Sequence, residues 1–417
     1  MAACVAATAT AFASAPQVSN VGIVQNGARV TVTYDLDAPA VVTMDVTTND
    51  VSIGAMNLWY QTGDVNRLVK TAGSKMITWR PDKAWPGNVT EPGVEVRAVV
   101  TAWATNAPPD YMVVDLSGSG AVEYYVSADA VPGGVTNYLY KTAKMIMRKI
   151  PAAGVTWTMG SATTERGRST DESETPHSVA FQNDYYIGIY EVTLKQYAMV
   201  KGAIPNYSSG KSYYDALTND VESAWATYPA VYVRWAYDLR PGSPWPTYGK
   251  GSFADASGFL ANLNAKIPVV VDLPTSAEWE FACRAESGNA LYATDDDPGR
   301  DLTNATTDEC LGTLAWYKGN SGDHTHPVGE KKPNAWGLYD VLGNAAEWTL
   351  DYFTKSFDQS VVVTEPKGPD SGSGRCIRSG KANGDASWNR CARNYTGNTY
   401  EAGPYSGFRL WSACEAK

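Results

Sequence analysis

Short segments of alternating apolar and polar residues fill the chain from Pro16 to about Ser117, separated by turn residues. The alternation is clearest at 28–34, 40–46, 75–79 and 94–102. A period of two points successive side chains to opposite faces of a strand, and no stretch of helical period intervenes. The pattern predicts an all-β, immunoglobulin-like sandwich over residues 16–117. This region has no His, no Cys and no carboxylate cluster, so we expect a spacer or a docking module.

The pattern changes after Ser117. Residues 118–141 are rich in Gly, Ser, Ala and Val, which predicts a linker. Residues 142–417 then mix strand candidates, such as 144–151, with helix starts. Thr193 is a candidate N-cap, and Thr275 with Glu278 has the spacing of a capping box. The sequence therefore predicts an α+β domain here.

The first 15 residues are a small apolar run that ends in Ala13-Ser14-Ala15, a pattern typical of signal-peptide cleavage. The run lacks a basic segment, so a remnant of a signal peptide and a disordered tail both stay open. No stretch has the 18 uninterrupted apolar residues typical of a transmembrane span. We therefore expect a secreted, periplasmic or cell-surface protein.

Charge and aromatic content narrow the class of partner. The chain has 34 basic and 44 acidic residues, and no Lys/Arg block is longer than two residues. This argues against a nucleic-acid partner, because phosphate binding needs clustered basic residues. The 14 Trp and 25 Tyr, against 8 Phe, can pack and hydrogen-bond together, which suits binding surfaces and irregular cores equally.

Six motifs follow one another between residues 159 and 410. They are Met159-Gly-Ser161, Glu174-Thr-Pro-His177 with Tyr186-Ile-Gly-Ile-Tyr-Glu-Val-Thr193, Leu273-Pro-Thr-Ser-Ala-Glu-Trp-Glu280, Asn334-Ala-Trp-Gly-Leu-Tyr-Asp-Val-Leu-Gly-Asn-Ala-Ala-Glu-Trp348, Arg390-Cys-Ala-Arg393 and Gly407-Phe-Arg-Leu410. In this order they resemble the formylglycine-generating enzyme, or sulfatase-modifying factor, family. Asp272 departs from the pattern, since the family has Arg there. The resemblance implies a C-type lectin-like fold for residues 142–417.

The family's activity depends on two cysteines that bind copper and the substrate thiol. The corresponding segment here, residues 378–390, contains no Cys. Cu(I) prefers thiolate or thioether ligands, so we expect neither copper nor the family's oxidation. A related branch of the family uses three His to bind iron. His177 and His326 lie in scaffold motifs, and the spacing of His324 and His326 predicts rings on opposite faces of a strand, so no iron is expected either.

The resemblance also implies a calcium site and a disulfide. Asp340 and Glu347 would supply side-chain oxygens, and Gly343 and Ala345 backbone carbonyls, a mixture that Ca²⁺ favours. The alternative is a capped turn before Trp348 that holds no ion.

Five cysteines follow the candidate cleavage site, so at least one is unpaired within a monomer. The family's structural pair corresponds to Cys283 and Cys391, for which we expect a disulfide. The partners of Cys310, Cys376 and Cys414 stay unassigned.

The segment from Ser379 to Ser406 is rich in Asn, Gly and aromatic residues. Its candidate ligand-binding residues are Asn383, Trp388, Asn389, Asn394, Tyr395, Asn398, Tyr400 and Tyr405. Such side chains can hydrogen-bond and stack against a protein, peptide or glycan. We therefore expect a secreted, non-catalytic binding protein. Two alternatives stay open: a formylglycine-generating or related oxygenase with an atypical site, and a cell-surface structural protein.

Overall fold

The computed structural model describes residues 15–87, 93–205 and 225–417. The candidate signal segment, residues 1–14, lies outside the described residues. The chain divides into two compact units, the first ending at Pro109 and the second covering Asp110–Glu415. Within the described ranges, no helix is long and apolar enough to cross a membrane.

The first unit contains two antiparallel sheets. Its elements are β1 (Val18–Asn26), β2 (Arg29–Leu36), β3 (Ala40–Thr48), β4 (Val51–Ser52), β5 (Gln61–Gly63), β6 (Arg67–Val69), β7 (Gly73–Trp79), the short helix α1 (Pro81–Ala84) and β8 (Val96–Trp103). One sheet has the order β1-β2-β7-β5. The other has the order β4-β3-β6, with β8 also paired to β3. All four alternating segments of the sequence thus form strands.

One hydrophobic core joins the two sheets of this unit. Every second residue of β2 is buried, beginning with Val30 and Val32, as the alternation predicts. These side chains share a cluster with Val42 of β3 and with Ile77 and Trp79 of β7. A pair of packed sheets is therefore present, and its immunoglobulin-like identity stays a prediction.

The predicted linker is a folded part of the second unit. The strands β9 (Tyr111–Asp115) and β10 (Val122–Tyr125) form a hairpin, and β9 pairs with β11 (Lys144–Ile150). Tyr125 and Tyr140 are buried in the main core of this unit. The prediction of a linker at 118–141 is wrong because its small residues form turns between buried aromatic side chains. The boundary lies at Pro109, before the predicted end of the sandwich.

The second unit is a mixed structure with more strand than helix. Its further strands are β12 (Thr156–Met159), β13 (His177–Ala180), β14 (Tyr185–Gly188), β15 (Val271–Asp272), β16 (Ala346–Tyr352), β17 (Val362–Thr364), β18 (Arg375–Arg378), β19 (Tyr395–Gly397), β20 (Ser406–Gly407) and β21 (Trp411–Ala413). They form sheets of the order β10-β9-β11-β14-β21-β15, β12-β13-β17 and β19-β18-β16-β20. The helices are α2 (Leu194–Lys201), α3 (Phe259–Asn264), α4 (Ser276–Arg284) and α5 (Glu309–Leu314).

Two capping boxes start the principal helices. Thr193 and Gln196 cap α2 reciprocally, and Thr275 and Glu278 do the same for α4. All nine residues of α4 are buried, including the charged ones. A buried charged side chain needs an oppositely charged or hydrogen-bonding partner. The groups that pair with the charged residues of α4 position the candidate site.

Candidate functional site

Glu280 of α4 is the centre of a buried ion network. Its carboxylate accepts from Arg284 at 2.8 Å, from Arg378 of β18 at 2.9 Å and from the Gly160 N–H at 2.9 Å. Arg378 also donates to the Ser276 hydroxyl at 2.8 Å. These contacts fix the helix, the turn after β12 and the end of β18 against one another. The loop that follows β18 therefore starts from a rigid position.

That loop, residues 379–391, is a compact turn held by its own side chains. Asn389 accepts from the Lys381 N–H at 3.0 Å and donates to the carbonyls of Gly384 and Asp385. Arg390 forms a bidentate pair with Glu174 at 2.7 and 2.8 Å. Both partners are fully buried. The loop is thus anchored, and Cys391 at its end supplies its only sulfur.

Two of the eight predicted ligand-binding residues, Trp388 and Tyr395, form one aromatic and cationic group with Lys381 and Arg393. The rings of Trp388 and Tyr395 meet edge to face at 5.4 Å between centroids. The Arg393 guanidinium lies 4.2 Å from the Trp388 ring centroid, and the Lys381 ammonium 5.4 Å. These four side chains, which we call the Trp388 group, are neither fully buried nor fully exposed.

The other predicted residues take different places. Tyr400 is 62% exposed, and its ring contacts that of Tyr237 at 5.6 Å between centroids. Asn398 is exposed, whereas Asn383 and Tyr405 are partly buried. Tyr237 is 53% exposed and was not predicted, because its position lies far from the loop in sequence.

Asn389 and Asn394 do not fit a surface role. Both side chains are buried, at 0% and 2% exposure. The side-chain amide of Asn389 forms hydrogen bonds within the turn described above, so this residue contributes to the folding of the loop and not to ligand contact. Composition alone could not separate these buried amides from the exposed Asn398.

Two of the predicted calcium ligands have contrasting surroundings. Asp340 is fully buried, and its Oδ2 accepts from the Gly329 N–H at 2.6 Å. Its Oδ1 has no hydrogen-bond partner within the described part of the chain. Both oxygens of Glu347 accept from Arg409 at 2.7–2.9 Å, and Oε2 also accepts from the Trp279 ring at 2.6 Å.

Glu191, which the sequence analysis missed, is the third buried carboxyl beside them. It accepts from the Ala345 N–H at 2.8 Å and from the Asn344 amide at 2.7 Å. Burial, followed by the charges of Asp340 and Glu347, raises the pKa of Glu191 well above its ordinary value. Burial likewise raises the pKa of Asp340 to about 6. The presence of an acidic residue within the motif Tyr186–Thr193 was the sequence signal that could have indicated this buried carboxyl.

The unpartnered oxygen of Asp340 fits a hard cation, and the excess of carboxylates favours positive charge there. The side chain of Glu347 fits less well, because Arg409 and Trp279 engage both of its oxygens. The Gly343 carbonyl already accepts from the Ser379 hydroxyl at 2.9 Å. In the described part of the chain, no group of three or more His, Cys, Asp and Glu side chains is arranged to hold a metal ion. The residues thus fit calcium in part.

The histidines differ from the prediction in one respect. His324 and His326 lie outside any strand, and their rings stack at 5.0 Å between centroids, not on opposite faces. His326 also stacks on Trp316 at 3.7 Å. The prediction of opposed rings is wrong because residues two positions apart in a strand share one face, and because these residues lie in irregular chain. His177 lies elsewhere and stacks on Phe357 at 4.2 Å.

Cys283 and Cys391 are both fully buried, and their side chains lie within hydrogen-bonding reach of each other. The structure contains them as free thiols. The fold thus brings together the two cysteines that the family resemblance pairs. Whether they form a disulfide stays a prediction.

Residues 141–414 match the sulfatase-modifying factor enzyme 1-like domain. The chain is 27% identical over 290 residues to the formylglycine-generating enzyme of Bos taurus, a match that covers 63% of this chain and 72% of the relative. It is 31% identical over 184 residues to the chaperone protein LppX of Paenibacillus barcinonensis, covering 41% of this chain and 63% of the relative. Among solved structures, Treponema denticola variable protein 1 aligns with a TM-score of 0.47 and 24% identity, covering 65% of this chain and 96% of that one.

Proposed function

The chain belongs to the sulfatase-modifying factor enzyme 1-like family, and from that premise we propose that its second unit is a non-catalytic binding module. The observation that carries this proposal is the loop 379–390. It corresponds to the segment where the family's reactive cysteines lie, and here it holds no sulfur. Its side chains instead anchor a turn and contribute to the Trp388 group.

The cysteines that flank this loop do not replace the missing pair. Cys391 and Cys283 are fully buried, and burial raises the pKa of the Cys283 thiol well above its ordinary value. Cys376 is also buried, and burial raises its pKa to about 12. The thiolate is the nucleophile and the metal ligand, so buried neutral thiols are poor substitutes.

We expect no conversion of a peptidyl cysteine to formylglycine. Loss of the groups that bind metal and substrate thiol removes several orders of magnitude of rate. The measurement is mass spectrometry after incubation with copper, reductant, oxygen and a sulfatase-type cysteine peptide. An active formylglycine-generating enzyme serves as the control. Turnover by this protein above the enzyme-free background would refute the non-catalytic assignment.

We propose the Trp388 group as the ligand contact of this module. Partly exposed aromatic rings with adjacent cations can stack on a peptide or sugar and bind its polar groups. The relative from Paenibacillus barcinonensis is named a chaperone protein, and a chaperone acts by binding. That name supports a binding role within this family, with a protein, peptide or glycan as the partner.

Glycan and peptide arrays should reveal a ligand whose binding depends on Trp388 and Tyr395. Each aromatic contact contributes about 0.5–1.5 kcal/mol beyond its buried area, so Trp388→Ala and Tyr395→Ala should each weaken binding measurably. Tyr138→Ala is the matched control, because Tyr138 is 53% exposed and lies outside the group. A ligand that binds all these variants alike would place the contact surface elsewhere.

We also propose that calcium binds at Asp340 with the carbonyls of Gly343 and Ala345, and with Glu347 if it exchanges Arg409 for the ion. An ion that binds only the folded state adds about 2.7 kcal/mol at a hundredfold excess over Kd. Thermal melts in EDTA and in added calcium should therefore differ by several degrees, and Asp340→Ala should remove the difference. Equal melting temperatures of the wild type in both buffers would rule this site out.

For the first unit we propose an immunoglobulin-like spacer or docking module, in a secreted, periplasmic or cell-surface protein. Its two packed sheets support this role, as does the lack of His and Cys between residues 16 and 109.

A further inference from the structure

A cavity of about 330 Å³ lies beside the first turn of α4. Met159, Ala277 and Val363 contribute apolar surface to it, and His177 stacked on Phe357 contributes a flat aromatic wall. A volume of this size suits a small organic molecule.

Buried polar groups form part of the cavity lining. Asn394 is 2% exposed, and its side-chain oxygen has no hydrogen-bond partner among the described residues. Asp351 is 4% exposed, and its carboxylate accepts from the Ser276 N–H at 2.5 Å. A buried amide oxygen without a partner is costly unless something donates to it.

Three of the potential donors in the lining, on Cys376, Asn394 and His177, are already engaged. The Cys376 thiol donates to the Tyr352 carbonyl at 3.7 Å, and the Asn394 amide lies within hydrogen-bonding reach of the same sulfur. One ring nitrogen of His177 is also engaged in a hydrogen bond, since its Nδ1 lies 2.8 Å from the Thr175 carbonyl oxygen. The buried lining therefore offers acceptors to a ligand.

Among the described residues, no cation forms a salt bridge with Asp351, although Arg375 and Lys250 interact electrostatically with it. Lys250, which acts on it at longer range, is paired with Glu278 at 2.5 Å. Arg375 donates to the carbonyls of Trp245 and Leu350. Burial raises the pKa of Asp351 to about 6, which leaves it mainly ionised at neutral pH. A cationic group would offset this charge.

We propose that the cavity binds a small primary amine on a compact aromatic or apolar body. The ammonium donates to Asn394 Oδ1 and to the Asp351 carboxylate. The body packs between the His177–Phe357 wall and the apolar surface of Met159 and Val363. The lining of this cavity includes none of the four side chains of the Trp388 group.

Isothermal titration with three matched probes tests the proposal: 2-phenylethylamine, 2-phenylethanol and 3-phenylpropanoate. The amine should bind with a measurable Kd, the alcohol more weakly and the carboxylate not at all. Asn394→Leu should weaken amine binding at least about tenfold, the effect of losing a hydrogen bond to a charged group. Asp351→Asn should weaken the amine and leave the alcohol unchanged.

Two further variants distinguish a loss of amine binding from a loss of folding. Val363→Trp changes a residue that is 36% exposed, so it should preserve the fold while narrowing the cavity and reducing amine affinity. Gln61→Leu removes another amide whose oxygen has no partner among the described residues but which does not line the cavity, and it should bind the amine like the wild type. The proposal is overturned by equal binding of amine and carboxylate, by absence of amine binding at millimolar concentration, or by unchanged affinity in Asn394→Leu and Val363→Trp alike.

Discussion

An Arg409→Met protein should have a free energy of unfolding about 3–5 kcal/mol below that of the wild type, because removing one member of a buried ion pair leaves an uncompensated charge. Arg409 and Glu347 are both fully buried. Arg409 also donates to the carbonyls of Gly188 and Tyr339, at 2.8 and 2.9 Å. The replacement therefore removes the Arg409 donor from the Glu347 carboxylate and from two backbone carbonyls at once.

The surroundings increase this effect. Asp340 and Glu191 interact electrostatically with Glu347, and without Arg409 three carboxyls would lie together in the core. Loss of the cation raises the pKa values of Glu191 and Asp340 further in the folded protein, because Arg409 lowers both. A carboxyl whose pKa is raised in the folded state destabilises the folded protein most at pH values above that pKa. The loss of unfolding free energy in Arg409→Met should therefore shrink as the pH falls through about 6 towards 4.

Urea unfolding at several pH values measures this prediction. Arg300→Met is the matched control, since Arg300 is 54% exposed and pairs with Asp297 near the surface. Exposed pairs contribute about 0–1 kcal/mol. If Arg409→Met costs no more than the control at pH 7, the buried pair does not stabilise this fold as the structure implies.

Oxidation of Cys283 and Cys391 should also change stability strongly. The bond would close the loop from residue 283 to 391, which stabilises by about 3–5 kcal/mol in the chain-entropy model. Both sulfurs are already neighbours in the core, so little rearrangement is needed. In an exported protein, oxidising conditions would favour the bond.

Peptide mapping without reductant should recover these two cysteines as one linked pair. Unfolding with and without reductant then measures the stabilisation, and Cys391→Ala should remove the difference. Cys310→Ala is the control, because Cys310 is only partly buried and outside the pair. Recovery of free Cys283 and Cys391 from protein exported to an oxidising compartment would disprove the bond.

Local patterns in the sequence determined many elements correctly. Alternation located β2, β3, β7 and β8 because neighbouring side chains on a strand face opposite sides whatever the rest of the fold does. The capping box of α4 was found for a similar reason, since Thr275 and Glu278 interact within one turn of helix. The order of the motifs identified the family and placed its domain.

Tertiary structure alone decided which side chains meet. Glu191 and Glu347 are far apart in sequence, as are Glu280 and Arg378, and no local rule links them. The predicted linker failed for the same reason, because burial of Tyr125 and Tyr140 depends on distant partners.

The candidate site shows the same division. Its composition identified Trp388 and Tyr395 as possible ligand contacts, but burial separated Asn389 and Asn394 from the surface. Asn394 instead lines a cavity with Asp351, a residue that no motif singled out. The sequence by itself determined the local elements and the family, because those depend on neighbours along the chain. The fold decided burial, ion pairing and the shape of the cavities, because these depend on contacts between segments that meet only when the chain folds.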